Sequence, residues 1–198
     1  MIFYKDESGK RFKSLEGLKK DVENGGHTLV FATNGGIYNS KHEPNGLYVE
    51  NGIEKYPLNL EDGQGNLYLK PNGVFLIRSD GTAAIINSTK YDKYGGSVLY
   101  AVQSGPLLLS AGQTNPQFNE NSENKYIRSG VGVISDSLVV IAISDQTVNF
   151  YEFAKMFQDL GCKNALYLDG AISKMYLPDT GRNDELDGDF ATIIAIIK

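Results

Sequence analysis

Residues Asn164–Tyr176 read NALYLDGAISKMY, and this stretch says most about the fold. Its first residues are mostly apolar and read as a buried strand, which runs directly into Asp169. In open α/β sheets, ligands bind beyond the carboxyl ends of strands, so a carboxylate at that position faces the crevice. An Asp-Gly pair also makes an ordinary turn, in which the side chain bonds its own backbone, and both interpretations stay open at this point.

Ser173 and Lys174 follow Asp169 a few residues later. A cation and a hydroxyl close to a carboxylate are what an anionic sugar derivative needs, because they neutralise and hydrogen-bond its oxygens. These two residues therefore favour a binding site over a plain turn.

The segment before this strand carries the best helical pattern in the chain, NFYEFAKMFQDLG. Gly161 ends the pattern, and a strand pair, SGVGVISDSLVVIAIS, precedes it. Strand, helix and strand in succession predict a crossover connection onto a sheet. The predicted apolar stripe of the helix consists of Phe150, Phe153, Phe157 and Leu160.

Asn149 and Glu152 stand at the start of this helix with the spacing of a capping box. That structural role is sufficient to explain Glu152. The alternative is a catalytic role, because helix N-termini also attract anionic ligands.

The rest of the chain is rich in strands. SLEGLKKDVENGG predicts a short helix that Ser14 caps, and Asn51-Gly52 predicts a hairpin turn. An apolar strand is interrupted at 104–106, and a polar loop follows over 111–125. With 198 residues, 22 glycines and 6 prolines, the pattern predicts one α/β domain of the α+β type over residues 1–198. Its sheet should be mixed and largely antiparallel, with a few packed helices.

Three further stretches hold candidate binding residues. Asn34, Gly35 and Gly36 end an apolar strand, and the glycines let a ligand approach the backbone, although Asn-Gly-Gly also suits a plain turn. Ser104 and Gly105 interrupt a strand, but no Gly-x-Ser-x-Gly elbow is present to make that serine a nucleophile.

Arg128 stands between the polar loop and a glycine-flanked strand. A guanidinium suits phosphate through paired donors, and a solvated arginine or an ion pair is the alternative.

Composition excludes several classes of function. A net charge of -5 argues against a protein that binds nucleic acid polymers through a basic face. The single cysteine, Cys162, and the two histidines, His27 and His42, cannot build the usual zinc cages. No apolar run approaches the ~20 residues that span a bilayer, so we predict no transmembrane segment. We expect a cytoplasmic chain as given, or an exported or periplasmic one if a leader was removed.

The acidic stretch 179–189 resembles a calcium loop only superficially. With Gly188 at the sixth position, the twelfth is Ile194, where a bidentate glutamate is required. We predict a solvated loop here and no certain cofactor, with a divalent cation, calcium or magnesium, kept as an option.

Several blocks in one order resemble the phosphodiester glycosidase family, which includes the enzyme that uncovers mannose 6-phosphate by removing N-acetylglucosamine. The blocks, which look closest to the bacterial branch, are NGGIYNSKHEPNGLYVENG, QSGPLLL, IRSGVGV and VNFYEFAKMFQDLGCKNALYLDGAISKMY. Many relatives carry a glycine-rich run with paired serines after Leu-Asp-Gly, whereas this chain has Gly170-Ala171-Ile172-Ser173-Lys174. The substrate preference of this chain is therefore expected to differ from that of the mammalian enzyme.

The resemblance implies hydrolysis of the bond between a sugar anomeric carbon and a phosphodiester oxygen. Asp169 is the first choice for the catalytic carboxylate, as base or nucleophile, and Glu152 is the second. Arg128 and Lys174 would stabilise the phosphate. The substrate would be a small-molecule or glycan sugar phosphate held by Asn34, Gly35, Gly36, Ser104, Gly105 and Ser173. A non-catalytic sugar-phosphate-binding module is the alternative.

Overall fold

The computed structural model describes residues 1–93, 97–169, 172–184 and 188–198. Within this part, strands predominate over helices. The elements follow the chain as β1 (Ile2–Phe3), α1 (Leu15–Asn24), β2 (Leu29–Asn34), β3 (Tyr48–Glu50), β4 (Ile53–Tyr56), β5 (Gly73–Arg78), β6 (Ala83–Asn87), β7 (Val98–Ser104), β8 (Leu107–Ser110), β9 (Gln113–Thr114), β10 (Ser129–Ser135), β11 (Leu138–Ile143), α2 (Phe150–Asp159), β12 (Asn164–Tyr167), β13 (Met175–Leu177), β14 (Arg182–Asn183) and β15 (Ile193–Ile197). Short 3₁₀-helices lie at Asn66–Tyr68, Ser88–Lys93 and Pro178–Thr180.

The strands form three five-stranded sheets. We call them the terminal sheet (β1-β15-β2-β13-β14), the helix-backed sheet (β11-β10-β12-β8-β9) and the hairpin sheet (β4-β3-β7-β5-β6). The α/β class therefore holds in outline, but the protein is dominated by sheet.

The expected mixed sheet needs correction, because every strand pair in the described part of the chain is antiparallel. The predicted crossover is present: α2 connects β11 to β12, which lie on opposite sides of β10. β10 runs antiparallel to both, so the two parallel strands never touch.

The helix and the hairpin predicted in the first third of the chain are both present, and each is stabilised by the residues from which it was predicted. The amide of Gly17 donates to the Ser14 hydroxyl at 3.1 Å, which caps α1. Asn51 and Gly52 both have positive φ, 51° and 78°, as a tight hairpin turn between β3 and β4 requires.

The stripe predicted for α2 is correct for Phe153 and Phe157, which are buried against the helix-backed sheet. Leu160 was predicted wrongly, since it is 49% exposed. The helix ends at Asp159, so helical spacing no longer applies to the next residue, and Ala154 is buried on the inner face.

One apolar core joins the three sheets. Ile2 and Ile194 of the terminal sheet, Phe75 of the hairpin sheet, and Val131 and Leu166 of the helix-backed sheet all belong to it. Because the sheets share this core, the ends of their strands are brought close to one another.

The interruption at 104–106 is where the chain changes sheets. β7 ends at Ser104 in the hairpin sheet, and β8 begins at Leu107 in the helix-backed sheet, after a cis Gly105–Pro106 bond. No helix in the described residues is long and apolar enough to cross a membrane.

Candidate functional site

The side-chain amide of Asn34 lies at the centre of the site, 1% exposed. Its Nδ2 donates to the carbonyl of Asp169 at 2.8 Å and to the hydroxyl of Ser129 at 2.9 Å. Its Oδ1 accepts from the amide of Lys174 at 3.2 Å. One buried amide therefore ties the end of β2 to the end of β12, the start of β10 and the segment that leads into β13.

Hydroxyl groups extend this network. The hydroxyl of Ser173 donates to Ser129 Oγ at 3.1 Å, and that of Thr33 donates to the Lys174 carbonyl at 2.8 Å. Our sequence reasoning missed Ser129, although a polar residue that begins an apolar strand is a recognisable signal. Asn34 and Ser173, both predicted, are brought together with the backbone of Lys174, whereas the predicted role of the Lys174 charge stays a prediction.

Gly35 and Gly36 bring the backbone of the β2 end close to two other segments. Their amides donate to Thr192, to its carbonyl at 2.8 Å and its hydroxyl at 3.0 Å. A Cβ on Gly35 would collide with the Thr192 side chain, and one on Gly36 with the Gln103 carbonyl and the Val102 side chain. In this structure the glycines serve close packing of the sheets.

Both backbone groups of Asp169 form hydrogen bonds with residues at the end of β2. Its amide donates to the Gly35 carbonyl at 3.2 Å, and its own carbonyl accepts from Asn34. The carboxylate is partly exposed and its charge acts on the hydroxyl of Tyr38. The residues that follow, Gly170 and Ala171, lie outside the described residues. Asp169 lies two residues beyond the end of β12, and its catalytic role stays a prediction.

Tyr38 belongs to a polar cluster that sequence reasoning did not find. Asp189 pairs with Arg11 at 2.8 Å and with Nε2 of His42 at 3.1 Å, and the His42 ring stacks on Tyr38 with centroids 5.1 Å apart. Burial, and then the charges of Asp169 and Asp189, raise the pKa of the Tyr38 hydroxyl. Through Tyr38, this cluster is electrostatically linked to the candidate carboxylate.

Ser104 and Gly105 follow directly after Val102 and Gln103, the two residues on which Gly36 packs. The Ser104 hydroxyl is fully buried and is the one buried side-chain polar atom without a hydrogen-bond partner in the described part of the chain. A Cβ on Gly105 would meet the Asn72 side chain and the Leu67 carbonyl, so that glycine also serves packing.

Arg128 is enclosed, with 1% of its surface exposed. Its Nε donates to the Val148 carbonyl at 2.8 Å, and its guanidinium donates to the carbonyl and side chain of Asn124, each at 2.9 Å. The Phe150 ring lies 3.8 Å from Cζ. Burial lowers the pKa of Arg128, and the Tyr167 hydroxyl opposes that shift. The guanidinium therefore holds Asn124 and Val148 against the start of β10, and a contact of Arg128 with phosphate stays a prediction.

Glu152 makes the capping box. Its Oε2 accepts from the amide of Asn149 at 2.9 Å, its own amide donates to the Asn149 side chain at 2.9 Å, and its Oε1 pairs with Lys125 at 2.7 Å. The hydrogen bond from Lys125, and then that from Asn149, lower the pKa of this carboxylate. Both oxygens thus have structural partners, and the contacts of the Asn34 network do not include them.

The described residues hold no group of three His, Cys, Asp or Glu side chains that could bind a metal ion. In the acidic stretch, Asp184 pairs with Arg182 at 3.1 Å and Asp189 with Arg11, while residues 185–187 lie outside the described part. The calcium or magnesium option therefore stays a prediction.

Comparison with known proteins shows the family to which this chain is similar. A model of the phosphodiester glycosidase family matches residues 27–196. The uncharacterised protein YigE of Escherichia coli K12 is 37% identical over 178 residues, which cover 89% of this chain and 68% of that protein.

Two solved structures share the fold. The zebrafish N-acetylglucosamine-1-phosphodiester alpha-N-acetylglucosaminidase catalytic domain, auto-inhibited by its pro-peptide, matches with a TM-score of 0.63 and 16% identity, over 99% of this chain and 82% of that one. A hypothetical protein from Synechocystis matches with a TM-score of 0.53 and 13% identity, over 93% of this chain and 53% of that one. At such identities these matches speak for the fold alone. The family match spans most of the chain, and the Escherichia coli relative supports it: the chain belongs to the phosphodiester glycosidase family.

Proposed function

We propose that the chain hydrolyses the bond between a sugar anomeric carbon and a phosphodiester oxygen. The observation that carries this proposal is the position of Asp169, at a strand end, with both of its backbone groups bonded to the end of β2. These bonds fix the backbone of Asp169 relative to whatever binds in front of the strand ends, which limits the positions that its carboxylate can take.

The chemistry needs few groups. A phosphate leaving group is a weak base and departs with little protonation, so the sugar becomes a cation that water or a nucleophile must capture. Asp169 is assigned to that capture, as the base that activates water or as the nucleophile itself. Lys174 supplies positive charge near the phosphate. Arg128 is assigned to holding the surrounding loops in place, because its side chain is buried and its guanidinium bonds Val148 and Asn124.

The proposed substrate class is a sugar-1-phosphodiester, with an N-acetylglucosamine phosphodiester as the first candidate because the zebrafish protein is named for that activity. We assign Glu152 to the cap of α2 rather than to catalysis, since its two oxygens are engaged there.

The test is release of free sugar from a panel of sugar-1-phosphodiesters, including UDP-N-acetylglucosamine, with and without calcium or magnesium. We expect wild type to turn over at least one of them and Asp169→Asn to lose turnover while its binding of the substrate is retained. Asp159→Asn is the matched control, because that carboxylate pairs with Lys155 on the outer face of α2.

An Asp169→Asn variant as active as wild type would contradict the assignment. Wild type inactive on the whole panel, yet stabilised against heat by one of its members, would instead favour the sugar-phosphate-binding module.

A further inference from the structure

The loop that carries Tyr38 is held rigidly. The Asn45 amide donates to the Ile37 carbonyl at 3.0 Å and the Asn39 amide donates to the Glu43 carbonyl at 2.9 Å, which closes the loop at two levels. The Asn39 side chain also accepts from the amide of Glu43 at 3.1 Å. A loop closed in this way fixes the backbone position of Tyr38 directly after the glycines of the site.

The Tyr38 ring is fixed as well. It stacks on His42 with ring centroids 5.1 Å apart and an interplanar angle of 22°, and Asp189 lies 3.1 Å from Nε2 of that imidazole. The Tyr4 hydroxyl donates to the His42 carbonyl at 3.2 Å, and Arg11 holds Asp189. The stack explains why an aromatic ring is present, but a phenylalanine would stack equally well.

The hydroxyl of Tyr38 is the feature that the stack does not explain. Within the described ranges it neither donates nor accepts a hydrogen bond, although the ring is half-buried. The charges of Asp169 and Asp189 face it and oppose loss of its proton, while Arg11 acts in the opposite direction. The hydroxyl is therefore a protonated donor within the influence of the Asp169 charge, and it has no acceptor among the described residues.

We propose that Tyr38 contacts the substrate and donates a hydrogen bond from its hydroxyl to a phosphate oxygen of the sugar-1-phosphodiester. This inference rests on the proposed function. The anomeric carbon served by Asp169 carries the ring oxygen and the phosphate oxygen. The ring oxygen loses electron density as the sugar cation forms, whereas the phosphate oxygen gains charge, so a donor lowers the barrier only at the phosphate oxygen.

The test compares Tyr38→Phe, which keeps the ring stack, with wild type. Tyr151→Phe, on α2, is the matched control. We expect kcat/KM for the sugar-1-phosphodiester to fall roughly ten- to hundred-fold in Tyr38→Phe, as for the loss of a hydrogen bond to a charged group. By calorimetry, Tyr38→Phe should bind N-acetylglucosamine 1-phosphate more weakly than wild type and free N-acetylglucosamine equally well.

The outcomes separate the two proposals. If wild type is active and Tyr38→Phe matches it in kcat/KM, the role of Tyr38 is overturned and the proposed function stands. If the variant loses affinity for the free sugar as much as for the sugar phosphate, the assignment to phosphate is overturned. If wild type is inactive on the whole panel, the proposed function fails and calorimetry alone decides. Weaker binding of the sugar phosphate then supports the phosphate contact, and equal or absent binding overturns it.

Discussion

Asn34 is a buried amide whose nitrogen and oxygen are both used to join separate segments. Asn34→Ala would remove a hydrogen bond from the buried Ser129 hydroxyl and from the partly buried backbone of Asp169 and Lys174. We expect the free energy of unfolding to fall by about 2–3 kcal/mol, as for other buried polar groups left unpaired. Urea unfolding followed by circular dichroism measures it.

Asn121→Ala, in the exposed loop, is the control for this prediction, with an expected change below about 0.5 kcal/mol. Equal effects of the two substitutions would mean that the Asn34 network does not stabilise the fold.

At this scale the sequence allows prediction of some residues and not of others. Asp169 and Asn34 were found because each follows an apolar strand, which is a local pattern. Ser129 was not found, because its role comes from contacts with residues far away in the chain, such as its bond with Asn34, 95 residues apart. Tyr38 was not found because Asp169 and Asp189, whose charges act on it, are likewise distant in the chain. No local periodicity encodes that distance.

The start of α2 offers a prediction about an element. The pKa of Glu152 is lowered in the folded protein, so its charge stabilises the fold above the ordinary pKa of a glutamate, and this contribution is lost as the pH falls through the lowered value. Glu152→Gln should therefore melt below wild type at about pH 7, and the difference should shrink as the pH is lowered below the ordinary pKa of a glutamate. Thermal unfolding at several pH values measures this.

Turnover retained in Glu152→Gln would support the assignment of this residue to the cap, and turnover lost without a change in melting temperature would contradict it. The capping box itself was predictable, because the cap and its partner lie within one turn of helix. The sheet to which each strand belongs was not, since β7 and β8 look like one interrupted strand and lie in different sheets.

For the whole molecule, Cys162 can report whether the sheets unfold together. The thiol is buried beside Phe157, and burial raises its pKa, so it should be unreactive in the folded protein. In urea we expect the thiol to react with a disulfide reagent at the same midpoint at which circular dichroism is lost, as a single cooperative domain requires.

Thiol exposure at lower urea would show that the helix-backed sheet opens alone, and would contradict the single domain predicted from chain length. A thiol-free Cys162→Ala variant controls for reaction at other sites. The largely antiparallel pairing was predicted, but the division of the strands among three sheets was not, because it depends on a shared core to which distant segments contribute together.

The place of β15 in the terminal sheet, between β1 and β2, has a consequence for synthesis on the ribosome. Residues 193–197 are translated after both Asn34 and Asp169. Thr192, which directly precedes them, accepts hydrogen bonds from the amides of Gly35 and Gly36. In a nascent chain that still lacks residues 193–197, β1 is not joined to β2 and the strands beyond it. The candidate site is therefore completed only when translation has passed β15, and chains stalled before that point would carry Asp169 without the strand that braces its surroundings.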